Sequence, residues 1–313
     1  MTLLAFALVV LVGLAWPEQA LAWTPGTHVV LGERILSSLQ LLVPSVADLL
    51  RAFPYDFLYG SIAADTTMAK KYAPADRHCH AWHVGREVYE LAPTDALKAF
   101  GLGYLAHLAA DVVAHNHYVP RQLVVTSSTR SMGHTYWESR VETVLGDAVP
   151  RAARELIGLD HRAADAHLER ILSPTIFSVR TNRRLFKGMV RLADSRPWQV
   201  GMQVAHDQSR WDLPEELISR HLDRATNHIR SMLNDTTSQV LLSDPNGEAA
   251  ILRSKQVRRE AMRSSARRDR DWIAAVADQY FGLEGQGGLP MPATDVVVTS
   301  PLVAADAPIR RDD

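Results

Sequence analysis

Apolar positions recur at helical spacing along nearly the whole of this 313-residue chain, and strand-like alternation is scarce. Thr24 and Pro25 open a first helix: the threonine is suited to cap the free amides and the proline to occupy the first turn. Thr94 and Asp95 open the next strong one. From Ala96 to Ala114 that segment is apolar almost all round, and Gly101, Gly103 and several alanines let neighbours approach, so it is expected to be a buried central helix. A third helix is expected from His134 to Leu145, stopping at Gly146. Segments 151–157, 162–172, 178–193, 214–234 and 247–282 read the same way, which makes the chain all-α.

The two ends have a different texture. Residues 1–22 are an apolar run too short for a comfortable membrane span, followed by small residues at Ala20 and Ala22, the pattern of a signal peptide cut after Ala22. That places the expected protein outside the cell or in the periplasm. Its removal deletes Glu18 and no base, which takes the formal net charge of -1 to zero, so the chain is not an overall polyanion binder. Residues 284–313 have little with which to form a core and are expected to be a flexible tail, with Val296–Ser300 as a short strand at most. The expected working unit is therefore one helical domain, residues 23–283. Cys79 is the single cysteine, which excludes an internal disulfide and a thiolate metal cage. Residues 253–271 carry eight bases against three acids and read as a solvated face with local ion pairs, without the aromatic interleaving that single-strand binding uses.

The chemistry concentrates before residue 140, where eight of the thirteen histidines fall. A lone histidine on an apolar helix face is more often a core residue bonded to a carbonyl than a ligand, and the isolated His161, His167, His206, His221 and His228 are read as surface or satisfied core. The others form a pattern. His107 and Asp111 are four apart and share one helix face, as do His134 and Glu138, so each pair can hold a cation between its members. His115 continues the stripe of His107 and Asp111, and His117 follows it closely. Upstream stand His28, Asp65 and the set His78, His80 and His83. Asp111 on a buried helix is costly unless a metal or donor meets it. Imidazole with carboxylate suits zinc, and the absence of thiolates points to a hydrolytic site.

This arrangement resembles the zinc-dependent phospholipases C of bacteria and, more distantly, the single-strand-specific zinc nucleases. The resemblance rests on Trp23 as the first residue after the expected cut, then His28, the Gly60–Asp65 segment, the histidines near 80, His107-x3-Asp111-x5-His117 and His134-x3-Glu138. It covers about residues 23–140. It implies an all-α multi-helix bundle with a trinuclear zinc site. Asp65, His80, His107 and Asp111 would hold one ion; His117, His134 and Glu138 a second; and Trp23, through its free amine and carbonyl, with His28 and Asp111 a third. Asp65 would also orient or deprotonate the attacking water. The implied activity is hydrolysis of a phospholipid to diacylglycerol and a phosphorylated headgroup, with peripheral membrane contact and no stable nucleic-acid partner. The alternatives are a zinc nuclease or nucleotidase on the same cage, or a non-catalytic zinc-binding module at a membrane. The Gln-Pro element common in close relatives is missing after Asp111, so substrate contacts do not carry over.

Overall fold

The computed structural model describes residues 23–67, 70–74, 77–126, 130–263 and 269–283. The expected signal peptide, tail and terminal strand lie outside these residues. Among them the chain is helical, with short 3-10 turns and no strand. The helices are α1 (Pro25–Leu36), α2 (Pro44–Ala52), α3 (Pro54–Ala63), α4 (Trp82–Glu90), α5 (Asp95–Val113), α6 (Val119–Thr126) and α7 (Arg130–Leu145). They continue as α8 (Ala148–Leu156), α9 (Arg162–Ile171), α10 (Val179–Ala193), α11 (Arg196–Asp207), α12 (Glu215–Asn234), α13 (Glu248–Arg263) and α14 (Arg270–Phe281).

Local chemistry accounts for the boundaries. The Thr24 hydroxyl accepts from the Thr27 amide, the Thr94 hydroxyl from Leu97 and the Ser178 hydroxyl from Thr181, so three helices begin on capping side chains. Pro25, Pro44 and Pro54 each fill the first turn of a helix, where a missing N–H costs nothing. Helix α7 ends before Gly146, which has φ +97°. Two expectations need correction. The central helix does not end near Ala114: a π-turn over Ala114–Tyr118 carries it on into α6. The single helix expected over 247–282 is two, α13 and α14. Helix α11 went unseen in the sequence.

Helix α5 is buried on every side, packed against α3, α4 and α12 within the main apolar core. By length and composition the Asp95–Thr126 helix could cross a membrane, but its apolar surface is covered by other helices. Past the π-turn, α6 enters a second apolar cluster with α13 and α14, built on Val124, Ala250, Val257, Ile273, Ala277 and Phe281. The tightest contact of the fold is the crossing of α3 and α5. A methyl on Gly60 would lie 2.0 Å from the Phe100 carbonyl oxygen, and one on Gly103 2.0 Å from that of Phe57. The two backbones touch without side chains between them.

Gly103→Ala forces this crossing apart, with no flexible side chain to yield. It is expected to lower stability by roughly 1–3 kcal/mol, the range for overpacked cores, and to lower zinc affinity as well, measured by thermal melts and metal titration. A second expectation concerns acid. His221, buried on α12, donates from Nδ1 to the Leu217 carbonyl at 2.7 Å, and burial together with nearby His117, Arg121 and Arg220 pushes its pKa down to about 4. The unfolded chain, with an ordinary histidine near 6.5, binds more protons between those values, so stability is full above about pH 6.5 and drains as the pH falls toward 4. His221→Gln should flatten the fall of Tm over that window.

Candidate metal centre

The α3–α5 crossing decides where the polar groups meet. Ser61 lies in the last turn of α3, and Asp65 on the 3-10 turn that follows it. His107 and Asp111 face them from α5, His80 enters from the turn before α4, and His28 comes from the first turns of α1. Asp65, His107 and Asp111 have no exposed surface, and His28 and His80 almost none. The His80 Nε2 lies 3.0 Å from His107 Nε2, 3.2 Å from Asp111 Oδ2 and 3.4 Å from Asp65 Oδ1. His107 Nε2 is 3.1 Å from Asp111 Oδ2. On the other side of the same carboxylate, Asp111 Oδ1 is 3.3 Å from His28 Nε2.

These spacings fit ligands of a small cation. Bonds of about 2.0–2.1 Å at tetrahedral angles put neighbouring donor atoms roughly 3.3–3.4 Å apart. The proton positions agree. His107 Nδ1 lies 2.9 Å from the Ser61 carbonyl, which can only accept, so in the neutral ring the Nε2 lone pair points at the carboxylates. Burial and neighbouring His107 hold the His28 pKa down to about 4, so the His28 ring is neutral at pH 7. Both Asp111 oxygens and Asp65 Oδ2 are buried without a hydrogen-bond donor, which is costly unless a cation meets them. Among the described residues, donor sets of ligand atoms within reach of one ion form three times, as His28, His107 and Asp111, as Asp65, His80 and His107, and as His78, Cys79 and His80.

The charge balance points the same way. Asp65, Asp111 and Glu138 are three buried carboxyl groups, and Lys70 is the buried ammonium set against them. Lys70 Nζ lies 2.9 Å from Asp65 Oδ1 and 3.2 Å from His80 Nε2. Burial opposes ionisation of Asp65, but Lys70, His107 and His80 outweigh it and hold the group far below the usual carboxylate range. Burial and the charges of Asp65 and Asp111, offset only in part by Lys70, push the Glu138 carboxyl well up. A dication beside it reverses that balance.

Not every expected ligand arrives. His80 is the member of its cluster that faces the set, while His78 Nδ1 accepts from the His80 amide at 3.2 Å and His83 is exposed on α4. The Cys79 thiol sits 3.2 Å from His80 Nδ1 and orients that ring. Trp23 is fully buried, its indole N–H donating to the Ala110 carbonyl at 3.2 Å, one residue before Asp111. His134 lies on α7, and its side chain is outside the described residues. His117 departs from the expectation. The π-turn leaves it half-buried with Nδ1 3.3 Å from the Phe281 carbonyl, on the side of His221 and His228. His115 instead is buried, with Nδ1 donating to the Pro245 carbonyl at 2.6 Å, and Asp111, His80 and Lys70 are among the groups whose charge acts on it. His115 thus keeps the side of Asp111 that its helix spacing gives it.

A contribution from the distal half escaped the sequence reading. The loop Asp244–Gly247 closes over the centre through backbone groups: Pro245 holds His115, the Asp244 carbonyl accepts from Asn116 at 2.8 Å, and Asn246 Nδ2 donates to the His80 carbonyl at 3.3 Å. Gly247 has φ +57°, and a methyl there would strike the His115 carbonyl oxygen at 2.3 Å. Of the isolated histidines, His161, His167 and His221 donate to the carbonyls of Leu156, Val88 and Leu217, and His206 Nδ1 accepts from the Arg140 guanidinium at 3.3 Å.

The central helix of this all-α bundle gathers buried imidazoles and carboxylates into clusters that could hold a metal ion, with Asp111 facing both sides. The model of a protein family described as zinc dependent phospholipase C, a family of zinc-dependent hydrolases, matches residues 27–176, and that segment of the chain is similar to it. No curated protein and no solved structure matches the chain.

Lys70→Met deletes the ammonium that faces the buried acids, leaving Asp65 unpaired. Without zinc the variant is expected to lose roughly 3–5 kcal/mol, as when one partner of a buried pair is removed. Added zinc should therefore raise its Tm by more than it raises that of the wild type.

Proposed function

We propose that this protein is an exported zinc-dependent phosphodiesterase of the phospholipase C type, cleaving the glycerol-side P–O bond of a phospholipid to leave diacylglycerol and a phosphorylated headgroup. One observation supports it above the others: Asp111 turns its two oxygens to different partners, Oδ2 to His80 and His107 and Oδ1 to His28, as a carboxylate shared by two ions would. In this reading the first ion takes Asp65, His80, His107 and Asp111, and the third takes Asp111, His28 and the amine and carbonyl of Trp23, exposed by cleavage after Ala22. The second takes Glu138 and His134 with His115, in place of His117, because His115 is the ring that shares the side of Asp111 and His80.

Bound zinc would polarise the phosphoryl oxygens and lower the pKa of an attacking water. The chain's own groups do the rest. Asp65 has one oxygen fixed by Lys70 and the other without a donor, so that second oxygen can orient the water and take its proton. The Lys70 ammonium supplies fixed positive charge beside the developing phosphoryl charge. The Ser61 and Pro245 carbonyls hold His107 and His115 in the tautomer that presents Nε2, so no proton needs to leave these rings on binding metal.

The decisive comparison offers the purified, zinc-loaded protein a phosphatidylcholine, a single-stranded oligonucleotide and a generic phosphodiester, each with and without chelator. Chelator-sensitive release of diacylglycerol with no cleavage of the oligonucleotide is expected. Preferential cleavage of the oligonucleotide overturns the lipid reading, and no turnover of any of the three overturns the enzyme. In the same preparations His115→Ala is expected to lower zinc content and His117→Ala to leave it unchanged; the reverse result restores His117 as the ligand.

A further inference from the structure

The basic segment after residue 253 is not all solvated surface. Arg258 and Arg270 from it line a cavity of about 590 Å3 together with Arg121, Arg210 and Arg220, bounded by α6, α12, α13, α14 and the connection at Trp211. Two of the five guanidinium groups have carboxylate partners. Asp278 takes Arg121 through Nε at 2.5 Å and Nη2 at 2.9 Å, and Glu216 lies 3.9 Å from Arg220.

The remaining three are satisfied differently. Arg258 is half-buried and donates to the Val124 carbonyl, a neutral acceptor. Burial alone lowers its pKa, so no neighbouring carboxylate offsets the desolvation. Arg270 donates to the Arg210 carbonyl at 3.2 Å, and both flank the Trp211 ring, at 5.5 and 4.9 Å from its centroid. A guanidinium drawn partly out of water without a counter-charge favours an anion, and its planar fork matches phosphate oxygens. The wall is not uniformly basic: Asp212 and Asp271 also line it, beyond ion-pair distance of these three groups. They disfavour a polyanion and favour a single small anion. Val125, Leu217 and Ile273 add an apolar wall beside the indole, suited to an organic group.

We propose that this cavity is a binding site for a phosphate ester, with the phosphate at Arg258, Arg210 and Arg270 and the organic moiety against Trp211. The site is separate from the metal centre, sharing with it only the helix that runs on from His117 to Arg121, and it does not depend on the phospholipase reading. The ester can be a free small molecule or the headgroup region of a lipid.

Isothermal titration of the zinc-loaded, full-length mature protein separates these sources with three probes: inorganic phosphate, sn-glycerol 3-phosphate, and dihexanoylphosphatidylglycerol below its micelle concentration. Binding to the metal centre is common to wild type and variants, so the difference between them reports the cavity. Arg258→Met is expected to weaken glycerol phosphate binding at least tenfold with unchanged zinc content. Because Arg258 also braces Val124, the exposed pair Arg210→Met with Arg270→Met serves as a second variant and should give the same loss. Tighter binding of the lipid than of glycerol phosphate that is lost in both variants assigns the site to a lipid headgroup; equal binding of the two, also lost, assigns it to a free ester. Isotherms for all three probes within twofold of wild type in both variants overturn the proposal. Unchanged lipid hydrolysis does not bear on it, so failure here and failure of the proposed activity are read separately.

Discussion

The contact between the α3 and α5 backbones at Gly60 and Gly103 fixes the rest of the centre. With a carbonyl oxygen 2.0 Å from where each Cβ would be, neither position tolerates even a methyl. That closeness brings the Ser61 carbonyl to 2.9 Å from His107 Nδ1 and the Asp65 carboxylate to 3.9 Å from His107 Nε2. The bond to Ser61 sets the tautomer, the tautomer aims the lone pair, and the lone pair aims at the acids. An outward shift of α3 by one methyl radius would undo all three, because the imidazole is rigid and α5 has no freedom to follow inside its packed core.

The second constraint is electrostatic. Burying Asp65 and Asp111 beside Lys70 crowds two carboxylates in a medium that does not screen them, and their charges together with burial push the Glu138 carboxyl well up. Hydrophobic packing around α5 supplies the stability that holds these acids in place, and cations supply what packing cannot. This division explains why the ligands come from a rigid helix and its nearest neighbours rather than from long loops: a site that must compress like charges needs walls that do not relax. The π-turn fits the same logic. A regular helix would have kept His115 in line with Asp111 and then ended; the wider turn keeps the rod continuous, so α6 can anchor a second apolar cluster while the first histidine still faces the centre.

Much of this was legible in the chain. The four-residue step from His107 to Asp111, the glycines of the central helix, and the capping threonines each carry a local rule that tertiary context did not override. What escaped has physical reasons. Helix spacing put His115 in line with Asp111, whereas the choice of His117 came from the family resemblance, and the π-turn over Ala114–Tyr118 is a widening that a period of 3.6 does not represent. Lys70, next to Lys71, looks like surface charge in sequence, and only the fold buries it against Asp65. Helix α11 is polar enough to pass for a connection, and the basic stretch of α13 gives no sign of which arginines turn inward.

The distal half illustrates the deeper limit. It offers no ligand cluster, and the family match stops at residue 176. Yet the loop Asp244–Gly247 reaches His115, Asn116 and the His80 backbone with two carbonyls and one amide side chain. Backbone carbonyls have no sequence signature. The loop can lie so close only because Gly247 adopts a positive φ against the His115 carbonyl, and Trp82 pins it from the other side by donating to the Ser243 carbonyl at 2.8 Å. The distal helices thus act on the centre by positioning the acceptor that sets the tautomer of one histidine. Divergence in that half can alter the shape of the site while the imidazoles and carboxylates gathered around α5 stay where they are.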